Sequence, residues 1–87
     1  MTIQTLHLCN LDEVANLEPY WLMVSPHDQI IFYAHSINKE QYKKLDRQLP
    51  LTKKHFQSKL ENKAFSNIAM GKWLQLLNTS NKTMTWK

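Results

Sequence analysis

The chain has one glycine, Gly71, and one cysteine, Cys9. With so little glycine, no Gly-rich phosphate loop can be built. Primed two-residue hairpin turns and glycine helix caps are almost ruled out as well. Loops must rely on Pro19, Pro26, Pro50 and seven asparagines instead. A lone cysteine has no partner in the chain, so no internal disulfide forms. The sequence contains no C-x-x-C, H-E-x-x-H or G-x-S-x-G pattern. These absences speak against an enzyme, and no cofactor or metal is expected. No apolar run approaches the roughly 18–20 residues of a membrane span, and no charged-then-apolar leader opens the chain. The expected compartment is the cytosol, with no membrane association.

A further absence is local. Residues 1–38 contain no Lys or Arg, and all eleven lie from Lys39 onward. The first 38 residues carry Asp12, Glu13, Glu18 and Asp28, a charge of −4, whereas the remainder sets eleven cations against Glu40, Asp46 and Glu61, a charge of +8.

What is present is ample for one folded domain. The 87 residues leave no room for a second core, and 43% of them are hydrophobic, too many for a disordered chain. Ten lysines to one arginine, with many asparagines, is the composition of an AT-rich genome.

The stretch "TIQTLHLC", residues 2–9, alternates weakly and reads as a strand. Asn10 with Glu13 three positions on forms a capping-box pattern, which predicts a short helix over 11–17 ended by Pro19. "YWLMV" (20–24) and "QIIFYAH" (29–35) are β-prone runs flanking "SPHD", whose Pro26 and Asp28 suit a type I turn. The expectation is a hairpin over 20–35, apolar on both faces and therefore covered by helices or by a second copy of the chain. Asn38 and Gln41 form another capping box, and Tyr42, Leu45 and Leu49 share one helical face that Pro50 ends. From Thr52, a spacing of four links Phe56, Leu60, Ala64 and Ile68, then Phe65, Ala69, Trp73 and Leu77, which predicts a helix reaching Asn78. "NKTMTW" closes as a short strand that docks Trp86. The expected fold is α+β: a small antiparallel sheet, the 20–35 hairpin plus the N-terminal strand, packed on two or three helices of the C-terminal half.

The cations have a pattern. Lys39, Lys43 and Arg47 recur at i, i+4, i+8, away from the apolar face, with Lys44 beside them and Lys53, Lys54, Lys59 and Lys63 following. Such a surface attracts acidic proteins or phosphates, although lysine-rich helical faces are often only solvated. The sparse arginine weakens any base-specific reading. "LTKKHFQSKLENKAFSNIAMGKWLQLLN" resembles a helix-turn-helix in period, but its second half is too apolar for a DNA-reading helix. Trp21 and Tyr33 are candidate aromatic anchors of an interface, including a homodimer through the apolar hairpin. His7 and Cys9 share one strand face, as a reactive thiol with its base would, or simply as core residues. The leading expectation is a small non-enzymatic regulatory or inhibitor protein, of the kind bacteria or phages make, offering its basic helical surface to an acidic protein partner. The alternative is a sequence-nonspecific nucleic-acid binder using the same residues.

Overall fold

A computed structural model describes residues 3–60 and 65–86. Strands and helices alternate along the chain: β1 (Ile3–Asn10), α1 (Glu18–Trp21), β2 (Gln29–Ala34), α2 (Lys39–Arg47), β3 (Lys53–Ser58), α3 (Met70–Thr79) and β4 (Ser80–Trp86). The strands form one sheet in the order β3-β2-β1-β4, and every neighbouring pair is parallel. Parallel neighbours need long crossovers, which is what the helices provide.

The sheet separates two apolar layers. On one face Cys9, Ile30, Phe32, Phe56 and Trp86 pack with Val14, Ile37 and Leu45, beneath the β1–β2 connection and α2. On the other, Leu6 and Ile31 pack with Ile3 and with Leu76 of α3. Ile30, Ile31 and Phe32 are consecutive and fully buried, so both faces of β2 are covered, as in the middle of a parallel sheet. Each such side chain contributes about 1.5–3 kcal/mol by leaving water.

A buried polar clamp ties three strands together. The Asp28 carboxylate, at the entrance to β2, accepts from Thr5 N at 3.2 Å, Ser25 N at 3.0 Å and His7 Nε2 at 2.9 Å. Trp86 Nε1 donates to His7 Nδ1 at 2.9 Å. Indole nitrogen is donor only, so this bond places the imidazole proton on Nε2, facing Asp28. Trp86 is 1% exposed, stacked on Tyr20 and edge-on to Trp21 and Phe32.

Several expectations hold. β1 and β4 form where the sequence places strands, and Trp86 is docked. α2 carries both capping-box bonds: Gln41 N donates to Asn38 Oδ1 at 2.7 Å, and Asn38 N to Gln41 Oε1 at 3.1 Å. The turn at Ser25–Asp28 closes with Asp28 N donating to Ser25 O at 3.0 Å.

The antiparallel sheet does not form. The 25–28 turn leads from α1 into β2 rather than from strand to strand, because Pro19 in the first helical turn favours a helix start and Asp28 is drawn into the sheet by His7 and Thr5. β2 is then an interior strand whose apolar faces are covered within the chain, which removes the apolar hairpin invoked for a homodimer. The 11–17 helix is replaced by a turn, since the Asn10 side chain takes Asp12 N at 3.0 Å instead of capping a helix. The helix expected from Thr52 is two elements. Lys53–Ser58 is a strand with Phe56 and Ser58 buried two apart, formed by pairing with β2 despite poor β propensity, and α3 starts only at Met70. Part of that expected stretch, residues 61–64, lies outside the described residues. Gly71 sits in the first turn of α3 with open space where a Cβ would go, so it serves neither a close approach nor a break.

Lack of glycine leaves its mark after α2. Leu49 takes the left-handed conformation, φ 48°, that glycine usually supplies past a helix end. Its cost is about 1–2 kcal/mol. The Lys54 ammonium crosses from β3 to donate to Asp46 O, Leu49 O and Thr52 O, and so satisfies carbonyls at this helix terminus.

Candidate functional site

The connection between β1 and β2 holds only the four-residue α1, so this layer is thin beside α2. The two are separated by a groove of about 620 Å³. Leu11, Val14, Leu17, Trp21 and Leu45 supply its apolar lining, while Asn16, Glu18, Gln41, Lys44 and Gln48 supply its polar side chains. A second hollow, about 430 Å³, runs along α2 between Glu40, Lys43, Lys44, Arg47 and Gln48. Lys44 and Gln48 border both, so an apolar floor and a cationic wall form one continuous surface.

The wall follows from helical spacing. Leu45 is buried and Tyr42 packs on Phe56 and Phe65, leaving Lys39, Lys43, Lys44 and Arg47 exposed on the outer side. Among the described residues no Lys or Arg stands within ion-pair distance of a carboxylate, Lys44 and Glu40 one turn apart on α2 included. These charges are therefore available to another molecule. The opposite side of the groove carries Glu18, so the cationic character belongs to α2.

The other cations predicted from sequence do not join this wall. Lys53 and Lys54 are adjacent on a strand and point to opposite faces. Lys54 is spent on the carbonyls of Asp46, Leu49 and Thr52, and burial draws its ammonium below the ordinary lysine value, with Asp46 opposing. Lys53 lies near His55 on the other face, where burial and then the charges of Lys53 and Lys72 push the imidazole down to about 4. Lys59 lies beyond the far end of β3, roughly 20 Å along the strand from Lys53. Lys63 lies outside the described residues. Of the aromatic anchors, Trp21 lines the groove, whereas Tyr33 lies on the opposite side of the sheet, tilted against Trp73 at 5.4 Å.

His7 and Cys9 do share a face, and both are buried. Both ring nitrogens of His7 are engaged, by Asp28 and Trp86. Burial pushes the Cys9 thiol up to about 12, which keeps it protonated at neutral pH. Among the described residues no three His, Cys, Asp or Glu side chains group as metal ligands, and no helix is long and apolar enough to cross a membrane.

Sequence reasoning found the cations and Trp21 but missed Leu11, Val14 and Leu17 as a groove wall. Their helix-like spacing was the available signal, and it pointed to a helix face rather than to an open layer. Comparisons with protein-family models, with curated proteins and with solved structures find no match to this chain.

Proposed function

We propose that this protein is a non-enzymatic binding module that docks an acidic, partly apolar segment of another protein between α2 and the 11–18 connection. The observation that carries the reading is the shared border of groove and cationic hollow at Lys44 and Gln48. Lys39, Lys43, Lys44 and Arg47 would steer an acidic partner and raise its association rate, while apolar side chains entering over Leu17, Trp21 and Leu45 would slow its release. A regulatory or inhibitory action, by occlusion of the partner's surface in the cytosol, follows from that mode of binding. The engaged His7 and the protonated Cys9 support a non-catalytic role.

The nucleic-acid alternative needs a continuous run of phosphate contacts. The dispersal of Lys53, Lys54 and Lys59 away from α2 counts against it. Fluorescence anisotropy discriminates the two, with labelled peptides alternating Glu with Leu or Phe, and with single- and double-stranded oligonucleotides, at about 0.05 and 0.15 M salt. Peptide binding should persist at the higher salt, fall at least tenfold in Leu17→Asp, and fall in Arg47→Glu. Oligonucleotide binding that persists there and ignores Leu17→Asp would replace this reading with the alternative. Absence of peptide binding under both conditions would refute it.

A further inference from the structure

Because all four strands are parallel, their carboxyl ends meet at one edge, the edge at which open α/β sheets hold their ligands. Here that edge has a separate cavity of about 240 Å³, formed where β1, β2 and β3 end. β1 and the residues after it bring Asn10 and Asp12, β2 brings Tyr33 and His35, and β3 brings Gln57 and Lys59. We propose that this cavity is a binding site for a small zwitterion of amino-acid size, its ammonium on Asp12 and its carboxylate on Lys59 and Gln57.

The walls are tied together before any ligand arrives. Leu11 N donates to Tyr33 O at 2.9 Å and Lys59 N to Ala34 O at 3.3 Å, linking the three strand ends. Asp12 is fixed from two sides: its N–H donates to Asn10 Oδ1 at 3.0 Å, and its Oδ2 accepts from His35 N at 2.8 Å. One carboxylate oxygen is spent on that contact and Oδ1 is left to accept. The Asn10 amide nitrogen, the Tyr33 phenol, the His35 ring, the Gln57 amide and the Lys59 ammonium neither donate to nor accept from other described residues. Burial, then the charge of Glu13, raises the Tyr33 pKa above its ordinary 10, and the phenol is a donor at neutral pH. Polar groups from three strands thus converge on one volume without satisfying one another, the arrangement that orients a ligand in a preformed pocket.

Charge and size select the ligand class. Asp12 and Lys59 stand at the ends of β1 and β3, two inter-strand spacings apart, roughly 10 Å at the backbone. A simple anion would meet Asp12, and a simple cation would meet Lys59. A molecule carrying both charges satisfies each. A cavity of about 240 Å³ is on the scale of a small amino acid. The site is independent of the α2 groove and shares no residue with it.

Amide-resolved NMR titration of the whole chain with the standard amino acids, β-alanine and γ-aminobutyrate tests this. At least one zwitterion should shift resonances of residues 10–13, 33–36 and 57–60 saturably, with a dissociation constant of about 1 mM or tighter. N-acetyl and carboxamide derivatives of that ligand should bind at least tenfold more weakly. Lys59→Met and Asp12→Asn should each weaken it at least tenfold with the melting temperature unchanged, since asparagine keeps an acceptor for His35 N. Arg47→Glu should leave it unaltered. No saturable shift from any zwitterion, equal shifts from acetate or methylammonium, or undiminished binding by Lys59→Met would overturn the assignment.

Discussion

Replacing Asp28 with asparagine probes the clamp that joins β1, β2 and β4. The carboxylate is 4% exposed and accepts three hydrogen bonds, one through Oδ1 and two through Oδ2. Asparagine has one acceptor oxygen. Whichever way it turns, its NH₂ faces either Thr5 N–H or the pair formed by Ser25 N–H and His7 Nε2–H, so donor meets donor. Hydrogen bonds to a charged group are worth about 1.5–3 kcal/mol each, and neutralising the buried charge returns part of that. A net loss of about 3 kcal/mol is expected. A domain of 87 residues has about 4–13 kcal/mol in total, so the melting temperature should drop by roughly 12–24 °C. The pH dependence adds a second readout. Burial acts to raise the Asp28 pKa, but the backbone N–H of Ser25, then His7, hold it below its ordinary 3.8. A depressed folded-state value means stability that is fully present above about pH 4 and is lost as pH falls through the folded-state value. The gap between wild type and Asp28→Asn in urea denaturation should therefore be flat from neutral pH to about pH 5 and narrow below about pH 4. A gap under about 1 kcal/mol at neutral pH, or one that does not change with acid, would refute the reasoning. Trp86→Phe is the companion variant: it keeps an aromatic ring against Tyr20 but leaves His7 Nδ1 without a donor, for about 1–3 kcal/mol.

Lys54→Met should lower stability by about 1 kcal/mol in urea denaturation, because the carbonyls of Asp46 and Leu49 lose their ammonium, and should leave acidic-peptide affinity unchanged. An affinity loss without destabilisation would return Lys54 to the binding surface. His55 titrates at about 4 in the folded chain against 6.5 unfolded, so the unfolded state binds its proton first. Stability present above about pH 6.5 should fall towards pH 4, by about 1–2 kcal/mol after allowance for the half-exposed ring, and His55→Gln should remove that slope in pH-dependent melting. Cys9 should resist a thiol-directed alkylating reagent at neutral pH until the chain is unfolded by urea. Labelling as fast as a free thiol would contradict its burial.

Local signals in this sequence were partly reliable: the capping-box pattern at Asn10 and Glu13 opens only a turn, but two other signals are met. The Asn38–Gln41 capping box and the Ser25–Asp28 turn are both made with the bonds their residues promise. Pairing was not legible, because it depends on partners far along the chain. A turn between two β-prone runs reads as a hairpin whether or not the runs pair, and here the first becomes α1 and the residues after it. "KKHFQS" has a helical period and little β propensity, and it is a strand because Gln29–Ala34 lies beside it in register. Its outer edge is then met by the returning chain, where Asn67 exchanges hydrogen bonds with Ser58 N and O at 2.9 and 3.0 Å. The carboxyl-edge cavity was invisible for the same reason, since Asn10, Tyr33 and Gln57 converge only once three parallel strands are aligned. The α2 cations were legible because helical spacing alone places them.

The charge boundary at residue 38 follows in part from this topology. The order β3-β2-β1-β4 puts the first two strands of the chain in the middle of the sheet and the last two at its edges. An interior strand covered on both faces has no site for an ammonium group, so residues 1–38, which build β1 and β2, exclude lysine from those strands. Edge strands tolerate lysine and are protected by it from pairing with other chains, which accounts for Lys53 and Lys54 on β3 and Lys82 on β4. Lys54 has a further structural task at the end of α2. On α2 this accounting leaves over Lys39, Lys43, Lys44 and Arg47, and elsewhere among the described residues Lys59 and Lys72. Lys44 and Arg47 lie in the last turn of α2, where the helix dipole favours positive charge by about 0.3–1 kcal/mol each. That benefit does not extend to Lys39 in the first turn, where a cation is unfavourable, nor does it require the exposed, unpaired row that Lys39 and Lys43 extend along the helix. Part of the cationic wall is therefore unexplained by folding. Lys43 in that part borders the hollow joined to the open groove, and it is there that the proposed acidic segment would supply a partner the chain does not.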